Sequence, residues 1–361
     1  MASSLPIVTI IGSLNADLII RTTRIPEGGE TLTARSFDTG AGGKGANQAV
    51  ACARLSRARK DVTAFQQSVR ASSNSGPTAS SSPEVGHVQV KMVGAVGDDE
   101  FGNMLVETLR AETIDVSRVV KTSEAQTGVA VIIVEEETGQ NRIMLSPGAN
   151  YTLEPQAFRT LEAPLPALIM LQLEIPLEAV MRILATANTK HVPVLLNAAP
   201  ATALPDEAYG MITHLIVNEI EAAALSERLG HKVASIEDCH SVASSLLQKG
   251  TRNVIITLGE NGVYYASSEG NCPEGSLSAV KAAVVDTTAA GDTFVGAYAI
   301  EAALTKGGQL FDIQKAVESG NRAAARTVER EGAQRSIPYL DDMERKHVDA
   351  LTVRYARSAE P

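Results

Sequence analysis

The feature that most constrains this chain is an alternation of two hydrophobic periods along most of its length. Short aliphatic and β-branched runs predict buried strands at Ile7–Ile11, Lys91–Ala95, Leu168–Leu173, Val192–Asn197, His214–Val217 and Asn253–Leu258. Helical spacing between them predicts helices at Gly45–Leu55, Phe101–Glu112, Pro176–Asn188, Glu219–Leu229, Ile236–Gln248, Asp292–Leu304 and Asp312–Glu329. Apolar strands separated by helices specify a mostly parallel central sheet covered on both faces, a three-layer α/β/α domain. Two stretches read differently. Leu14–Arg21 with Thr31–Phe37, and Gln126–Glu135 with Gln140–Leu145, alternate polar with apolar residues and predict antiparallel hairpins. They predict a small β-sheet lid, drawn from about 14–41 and 118–146, projecting from the main domain.

Residues 68–82 hold seven serines in fifteen, with Asn74, Gly76 and Pro77. Such a segment buries too little apolar surface to offset its ordering entropy, so about 58–87 is expected to be a disordered surface insertion. The 361 residues are then expected to form a single domain, 1–361, with this loop inserted. A net charge of −10 argues against binding nucleic acid, which needs clustered Lys and Arg. Aromatic residues are 4% with no Trp, so a base-stacking groove is also not expected. The three cysteines, Cys52, Cys239 and Cys272, are far apart and form no C-x-x-C pair, which predicts reduced thiols. Ile7–Ile11 is too short and too far from any basic residue for a signal peptide, and no run of 18 apolar residues predicts a membrane span. The expected location is cytoplasmic, or nuclear if the source is a eukaryote.

Two glycine-containing segments bear on chemistry. Gly40–Gly45 formally satisfies G-x-G-x-x-G, but the preceding residues 34–39 are mostly polar, whereas a dinucleotide fingerprint follows a buried strand. What the segment does permit is close backbone approach where a helix opens, with Asn47 facing a ligand from the first turn. The second segment is 284–294, Val-Val-Asp-Thr-Thr-Ala-Ala-Gly-Asp-Thr-Phe. It predicts a strand ending at Asp286, a tight loop, and an apolar helix from about Gly291. Free N–H groups at such a helix start form an anion site. Asp292 would stand beside a bound phosphoryl group and accept a proton from an attacking hydroxyl. The helix dipole is expected to keep it ionised. Asp is also a favoured helix cap, so the turn alone leaves that alternative open.

Asn15 and Asp17 lie two apart on a predicted strand and so share one face, an amide and a carboxylate placed for paired hydrogen bonds. Glu174 ends the apolar run Leu168–Leu173, where a buried carboxylate requires a partner.

The sequences AGGKGANQ at 41–48 and DTTAAGDTF at 286–294 resemble the two signatures of the ribokinase-like (PfkB) carbohydrate kinase family. GSLNADLI at 12–19 and EGAQRSIP at 331–338 extend the resemblance, which runs from about Ile7 to Leu340. It implies that Gly43, Lys44, Gly45, Ala46 and Asn47 line a sugar together with Asn15, Asp17, Glu174 and Asp292. It implies ATP contacts at Asn218, Glu221, Thr257, Leu258, Gly259, Glu260, Asn261, Gly262, Gly291, Asp292 and Asn321, with Glu221 reaching Mg²⁺ through water. It further implies K⁺ held at Asp286, Thr288, Thr327, Arg330, Gly332 and Ser336, an oxygen-only set suited to a hard cation. With no Trp available, adenine is expected to lie on aliphatic surface.

The implied reaction is ATP-dependent phosphorylation of D-ribose at its 5-hydroxyl, with Asp292 as the catalytic residue and a homodimer formed through the lid. Another sugar or nucleoside kinase of the family (2-keto-3-deoxygluconate, fructose or adenosine) and a catalytically silent sugar sensor are the alternatives. A nicotinamide-dependent dehydrogenase would rest on Gly40–Gly45 alone.

Overall fold

A computed structural model of the chain describes residues 5–72, 86–137, 140–226, 233, 235–269, 274–305 and 309–344. Its strands are β1 (Ile7–Ile11), β2 (Asn15–Thr22), β3 (Ser36–Gly42), β4 (Gln89–Gly97), β5 (Asp115–Thr122), β6 (Gly128–Glu135) and β7 (Asn141–Ser146), followed by β8 (Leu168–Leu171), β9 (Val194–Asn197), β10 (His214–Asn218), β11 (Asn253–Thr257), β12 (Val263–Ser267) and β13 (Glu274–Leu277). The helices are α1 (Lys44–Leu55), α2 (Arg59–Ser72), α3 (Glu100–Ala111), α4 (Leu177–Thr189), α5 (Asp206–Tyr209) and α6 (Glu219–Leu225), then α7 (Ile236–Gln248), α8 (Ala290–Leu304), α9 (Ile313–Thr327), α10 (Ala333–Ser336) and α11 (Leu340–Met343).

Nine strands form one sheet in the order β13-β12-β11-β10-β9-β8-β1-β4-β5. All neighbours from β11 to β5 run parallel, and β12 and β13 add an antiparallel edge. The apolar runs are buried on both faces, as the sequence pattern requires. In β8 every residue is buried, Leu168 and Met170 in the core beneath α1 and α8, Ile169 and Leu171 in the core beneath α4 and α7. That alternation is the pleat dividing one strand between two layers.

The remaining strands form a second sheet in the order β3-β2-β6-β7. Both predicted hairpins are present, β2 with β3 and β6 with β7, and a parallel β2–β6 pair joins them. Three expectations need correction. The partner of β2 is 36–42 rather than 31–37, because the glycine-rich stretch itself extends along the strand to Gly42. Residues 118–122, assigned to the small sheet, belong instead to β5 at the edge of the large one. Residues 59–72, expected to be disordered, form α2, which buries Val62 and ties Arg59 to Asp342 by an ion pair of 3.0 Å. The serine-rich residues 73–85, the predicted helical residues 227–229 and Cys272 lie outside the described residues. Cys52 and Cys239 are free and buried.

Helix α8 is apolar around its whole circumference, with every residue from Asp292 to Ile300 buried. It sits between α1 and α9. At the α1 crossing Gly296 lies against Ala51, where a Cβ at 296 would collide with the Ala51 methyl and approach the Cys52 amide to 3.0 Å. Cys52 Sγ reaches the Gly296 carbonyl at 3.4 Å. Gly296→Leu is expected to destabilise the fold by about 1–3 kcal/mol through overpacking. A lowered urea midpoint checks this, and an unchanged midpoint would refute the assigned contact.

Candidate active site

The site forms at the carboxyl ends of the parallel strands, where open α/β sheets bind ligands. After β1 the chain turns through Gly12–Leu14 into β2, and the start of α1 presses against that turn. Gly43 adopts φ 89°, and a Cβ there would approach the Asn15 amide to 2.7 Å. A Cβ on Gly45 would lie 2.6 Å from the Ser13 amide. Glycine is needed at both positions for backbone to meet backbone. Ala46 N–H then donates to the Ser13 carbonyl at 2.9 Å, and Asn47 N–H to the Gly43 carbonyl at 2.8 Å.

Glu174 has the partners its position demanded. Its Oε2 accepts from Ser13 Oγ (2.6 Å), from Lys44 N–H (3.2 Å) and from Asn15 Nδ2 (3.4 Å). Asn15 and Asp17 are both buried on β2 and share its face. Burial pushes the Asp17 carboxyl up to about 7, helped by Glu174 and Asp292. Sequence reasoning missed Ser13, and also Asn150, whose Nδ2 donates to Asn15 Oδ1 at 2.7 Å. Asn150 carries no motif spacing that could have flagged it, whereas Ser13 stands two residues before Asn15 within GSLNADLI, a signal that could have found it.

Around Asp292 the structure alters the expected local form. Residues 284–286 are not a strand: Val284 and Val285 are exposed, and among the described residues the backbone bonds are those of the Val285 and Asp286 amides, both to the Val328 carbonyl. Ala289 takes the left-handed conformation (φ 60°) and α8 begins at Ala290. Asp292 makes no capping bond, so the helix-cap alternative fails. The Ala290 N–H is spent on the Thr287 carbonyl at 3.2 Å, whereas those of Gly291 and Asp292 have no acceptor among the described residues. A Cβ on Gly291 would meet nothing within 4 Å, so the helix start is open.

The Asp292 carboxylate accepts from Asn47 Nδ2 at Oδ2 and from Gln48 Nε2 at Oδ1, each 3.0 Å. Asn47 therefore reaches the carboxylate directly, and Gln48 is a partner the sequence reading did not single out. Burial raises the Asp292 carboxyl above its ordinary value even though Lys44, Asn47 and Gln48 pull it down. Desolvation is the largest of these influences, and it raises the proton affinity of the expected base.

Lys44, Asn218, Glu221, Thr257, Gly291 and Asp292 line one cavity of about 230 Å³, joined by Asn197 and Thr287. Burial pulls the Lys44 ammonium down, but Asp292, Glu174 and Glu221 outweigh it and hold it above its ordinary value. Asn218 and Glu221 form a capping box on α6: Asn218 Oδ1 accepts from the Ile220 and Glu221 amides at 2.9 Å, and Glu221 Oε2 accepts from the Asn218 amide at 2.9 Å. Burial raises the Glu221 carboxyl against the pull of the Asn218 amide. Leu258 leads into a short 3-10 turn over Gly259–Asn261, closed by Gly262 at φ 97°. These five residues do not line the cavity, and neither does Asn321, whose Nδ2 donates to the Ser278 carbonyl at 2.7 Å.

Asp286 fastens two loops together. Its Oδ1 accepts from the Thr288 amide (2.9 Å) and hydroxyl (2.6 Å), and its Oδ2 from the Gly332 amide (2.9 Å). Thr327 and Ser336 are fully buried nearby in sequence, each donating its hydroxyl proton to a carbonyl, Ala323 at 3.1 Å and Ala333 at 2.7 Å. The Arg330 amide bonds the Thr327 carbonyl at 3.2 Å. Gly40 and Gly42 lie on β3, not at a strand-to-helix turn of the large sheet, so Gly40–Gly45 is no dinucleotide fingerprint.

The description pfkB family carbohydrate kinase fits residues 7–340. The chain is 41% identical over 338 residues to the ribokinase of Schizosaccharomyces pombe, covering 92% of this chain and 95% of that one. It is 34% identical over 339 residues to the ribokinase of Staphylococcus aureus, covering 93% and 98%. Among solved structures, Arabidopsis thaliana ribokinase complexed with ribose and ATP superposes with a TM-score of 0.75 at 26% identity, covering 94% of this chain and 97% of that one. The chain therefore belongs to the pfkB family of carbohydrate kinases.

Proposed function

We propose that this chain transfers the γ-phosphoryl group of ATP to the 5-hydroxyl of D-ribose, giving D-ribose 5-phosphate and ADP. The observation that carries the reading is the Asp292 carboxylate, held by two amides of α1 at the open start of α8, on the wall of the 230 Å³ cavity. The similarity to ribokinases along more than nine-tenths of the chain selects ribose among sugars.

Asn15, Asp17, Glu174 and the Gly43–Asn47 segment hold the sugar hydroxyls and turn the 5-hydroxyl toward Asp292. As the O5–phosphorus bond forms and the bond from phosphorus to the ADP oxygen breaks, the hydroxyl proton passes to the Asp292 carboxylate. Its raised affinity for a proton suits that late transfer. The Gly291 and Asp292 amides and the Lys44 ammonium stabilise charge on the transferring group. Asn218, Glu221, Thr257–Gly262 and Asn321 border the nucleotide. Bound Mg²⁺ neutralises phosphate charge; both Glu221 oxygens already accept hydrogen bonds from Asn218, which fits contact through water. K⁺ is assigned to Asp286, Thr288, Thr327, Arg330, Gly332 and Ser336, where bound cation would steady the two loops joined at Asp286. The hydroxyls of Thr327 and Ser336 keep oxygen lone pairs after donating their protons, which fits a hard cation.

The small sheet acts as the lid. Directly opposed residues share a face, so Ile19, Ala130, Ile132, Ile143 and Leu145 stand on the Asp17 side and exclude water from the sugar. Phe37 and Met144 stand on the other face, 61% and 59% exposed, and support a homodimer through the lid. Among the described residues no helix is long and apolar enough to cross a membrane, and we place the enzyme in the cytoplasm.

ADP release measured with a panel of sugars, with and without K⁺, is expected to be strongest with ribose. Asp292→Asn should lower kcat by about 10²–10⁴-fold. No ribose-dependent turnover in the unaltered chain would defeat the assignment, and full turnover in Asp292→Asn would defeat only the role of that carboxylate. Asp17 is protonated below about 7 and then loses an acceptor, so the ribose KM should fall as pH rises through that value. A pH-independent KM would contradict this. Met144→Glu should shift sedimentation from dimer to monomer; an unchanged mass would remove the lid from the interface.

A further inference from the structure

Three primary amides are buried together beside Asp292, and the proposed phosphoryl transfer uses only the bond that one of them, Gln48, makes to the carboxylate. Gln48 and Gln172 are fully buried and Asn197 nearly so. Their hydrogen bonds run in one direction. Asn197 Nδ2 donates to the Ile216 carbonyl in β10 at 3.1 Å, which turns Asn197 Oδ1 toward Gln48. Gln48 must therefore present its NH₂, and Nε2 lies 3.0 Å from both Asn197 Oδ1 and Asp292 Oδ1. Its own Oε1 accepts from Gln172 Nε2 at 2.6 Å. A turned Gln48 amide would set oxygen against oxygen at Asp292 and Asn197, and NH₂ against NH₂ at Gln172. The donor aimed at Asp292 is thus oriented by a backbone carbonyl of the central sheet through Asn197 on β9, while Gln172, just after β8, holds the opposite end of the Gln48 amide.

Packing alone does not call for this arrangement, because each amide carries a desolvation cost that an aliphatic residue of similar volume avoids. Gln172 even leaves Oε1 without a partner among the described residues. Gly12 keeps the slot for it: a Cβ there would collide with Gln172 Oε1. With Asn47 on Oδ2 and Gln48 on Oδ1, the plane of the Asp292 carboxylate is set, and one lone pair on each oxygen remains for substrate.

We propose that Gln48, itself oriented by Gln172 and Asn197, is a positioning residue that aims the Asp292 carboxylate at the sugar hydroxyl and keeps it ready to accept a proton. The proposal rests on Asp292 being the proton acceptor. The charged groups facing that carboxylate are Lys44 on α1, Asp17 on β2, Glu174 after β8 and Glu221 on α6. Gln48 is a neutral donor acting in the same direction as Lys44, against burial and the three acids. Without it the carboxylate takes a proton at higher pH, so the acidic limb of kcat moves upward.

The test measures kcat, the KM for ribose and the KM for ATP across about pH 4 to 9, from the ordinary carboxylate range upward. The full chain, Gln48→Met, Gln172→Met and Asp292→Asn are compared. Gln48→Met should lose about 10²-fold in kcat, as misplacement of a reacting group does, with the ribose KM within about threefold and the acidic limb displaced upward. Gln172→Met, which touches neither Asp292 nor the sugar, should do the same to a smaller extent of about tenfold. Unchanged kcat in Gln48→Met, or a loss with the acidic limb in place, overturns the proposal. If Gln48→Met does not fold, Gln172→Met read by the same limb decides it. Full activity of Asp292→Asn would instead remove the base assignment beneath it.

Discussion

The contact on which the rest of the site depends is the close crossing of α1 and α8 at Gly296. Helix α1 begins in the glycine segment that we propose lines the sugar, and α8 begins with the open turn carrying Asp292. Where Gly296 touches Ala51 and Cys52, the helices are closer than any side chain at 296 would allow. That proximity, one helical turn further along, lets Asn47 and Gln48 reach Asp292 at 3.0 Å. Interiors pack at crystal-like density, so a shift of one helix would be passed to the other rather than absorbed. The glycine loop at the start of α1 and the Asp292 turn at the start of α8 are thereby one rigid unit.

Charge is the second constraint. Asp17, Glu174, Glu221 and Asp292 converge on the neighbourhood of a single Lys44, and the electrostatic consequences are visible in opposite directions. The lysine is held above its ordinary value despite burial, and Asp17, Glu221 and Asp292 are pushed up. Glu174 is stabilised differently, by three donors on one oxygen. A site with a net excess of carboxylates, in a chain of net charge −10, attracts no polyphosphate unless cations accompany it.

Legibility varied with how local the determining interactions are. The apolar runs of β1, β8, β10 and β11 were readable because burial on both faces imposes the same composition wherever such a strand occurs. The partner of β2 was misplaced by five residues, since glycines at 40 and 42 give no strand signal and their pairing is set by Asp17 and Asn15 across the sheet. The polar flank of the serine-rich segment concealed α2, which is anchored by Asp342 more than 250 residues away. Val284–Asp286 reads as a strand by composition, yet among the described residues it pairs with no strand.

By itself the sequence determined the layered α/β/α class, the small second sheet, and the residues that can act as acid, base or phosphate cradle. Those follow from periodicity and from short motifs whose chemistry is contained within a few residues. Only the tertiary structure decided how they act together. That Asn47 and Gln48 bond Asp292 across more than 240 positions, that Ser13 meets Glu174, and that burial is the largest influence on the Asp292 carboxyl are outcomes of packing. Distances between segments remote in the chain, and the dielectric they create between them, do not exist until the fold brings them together.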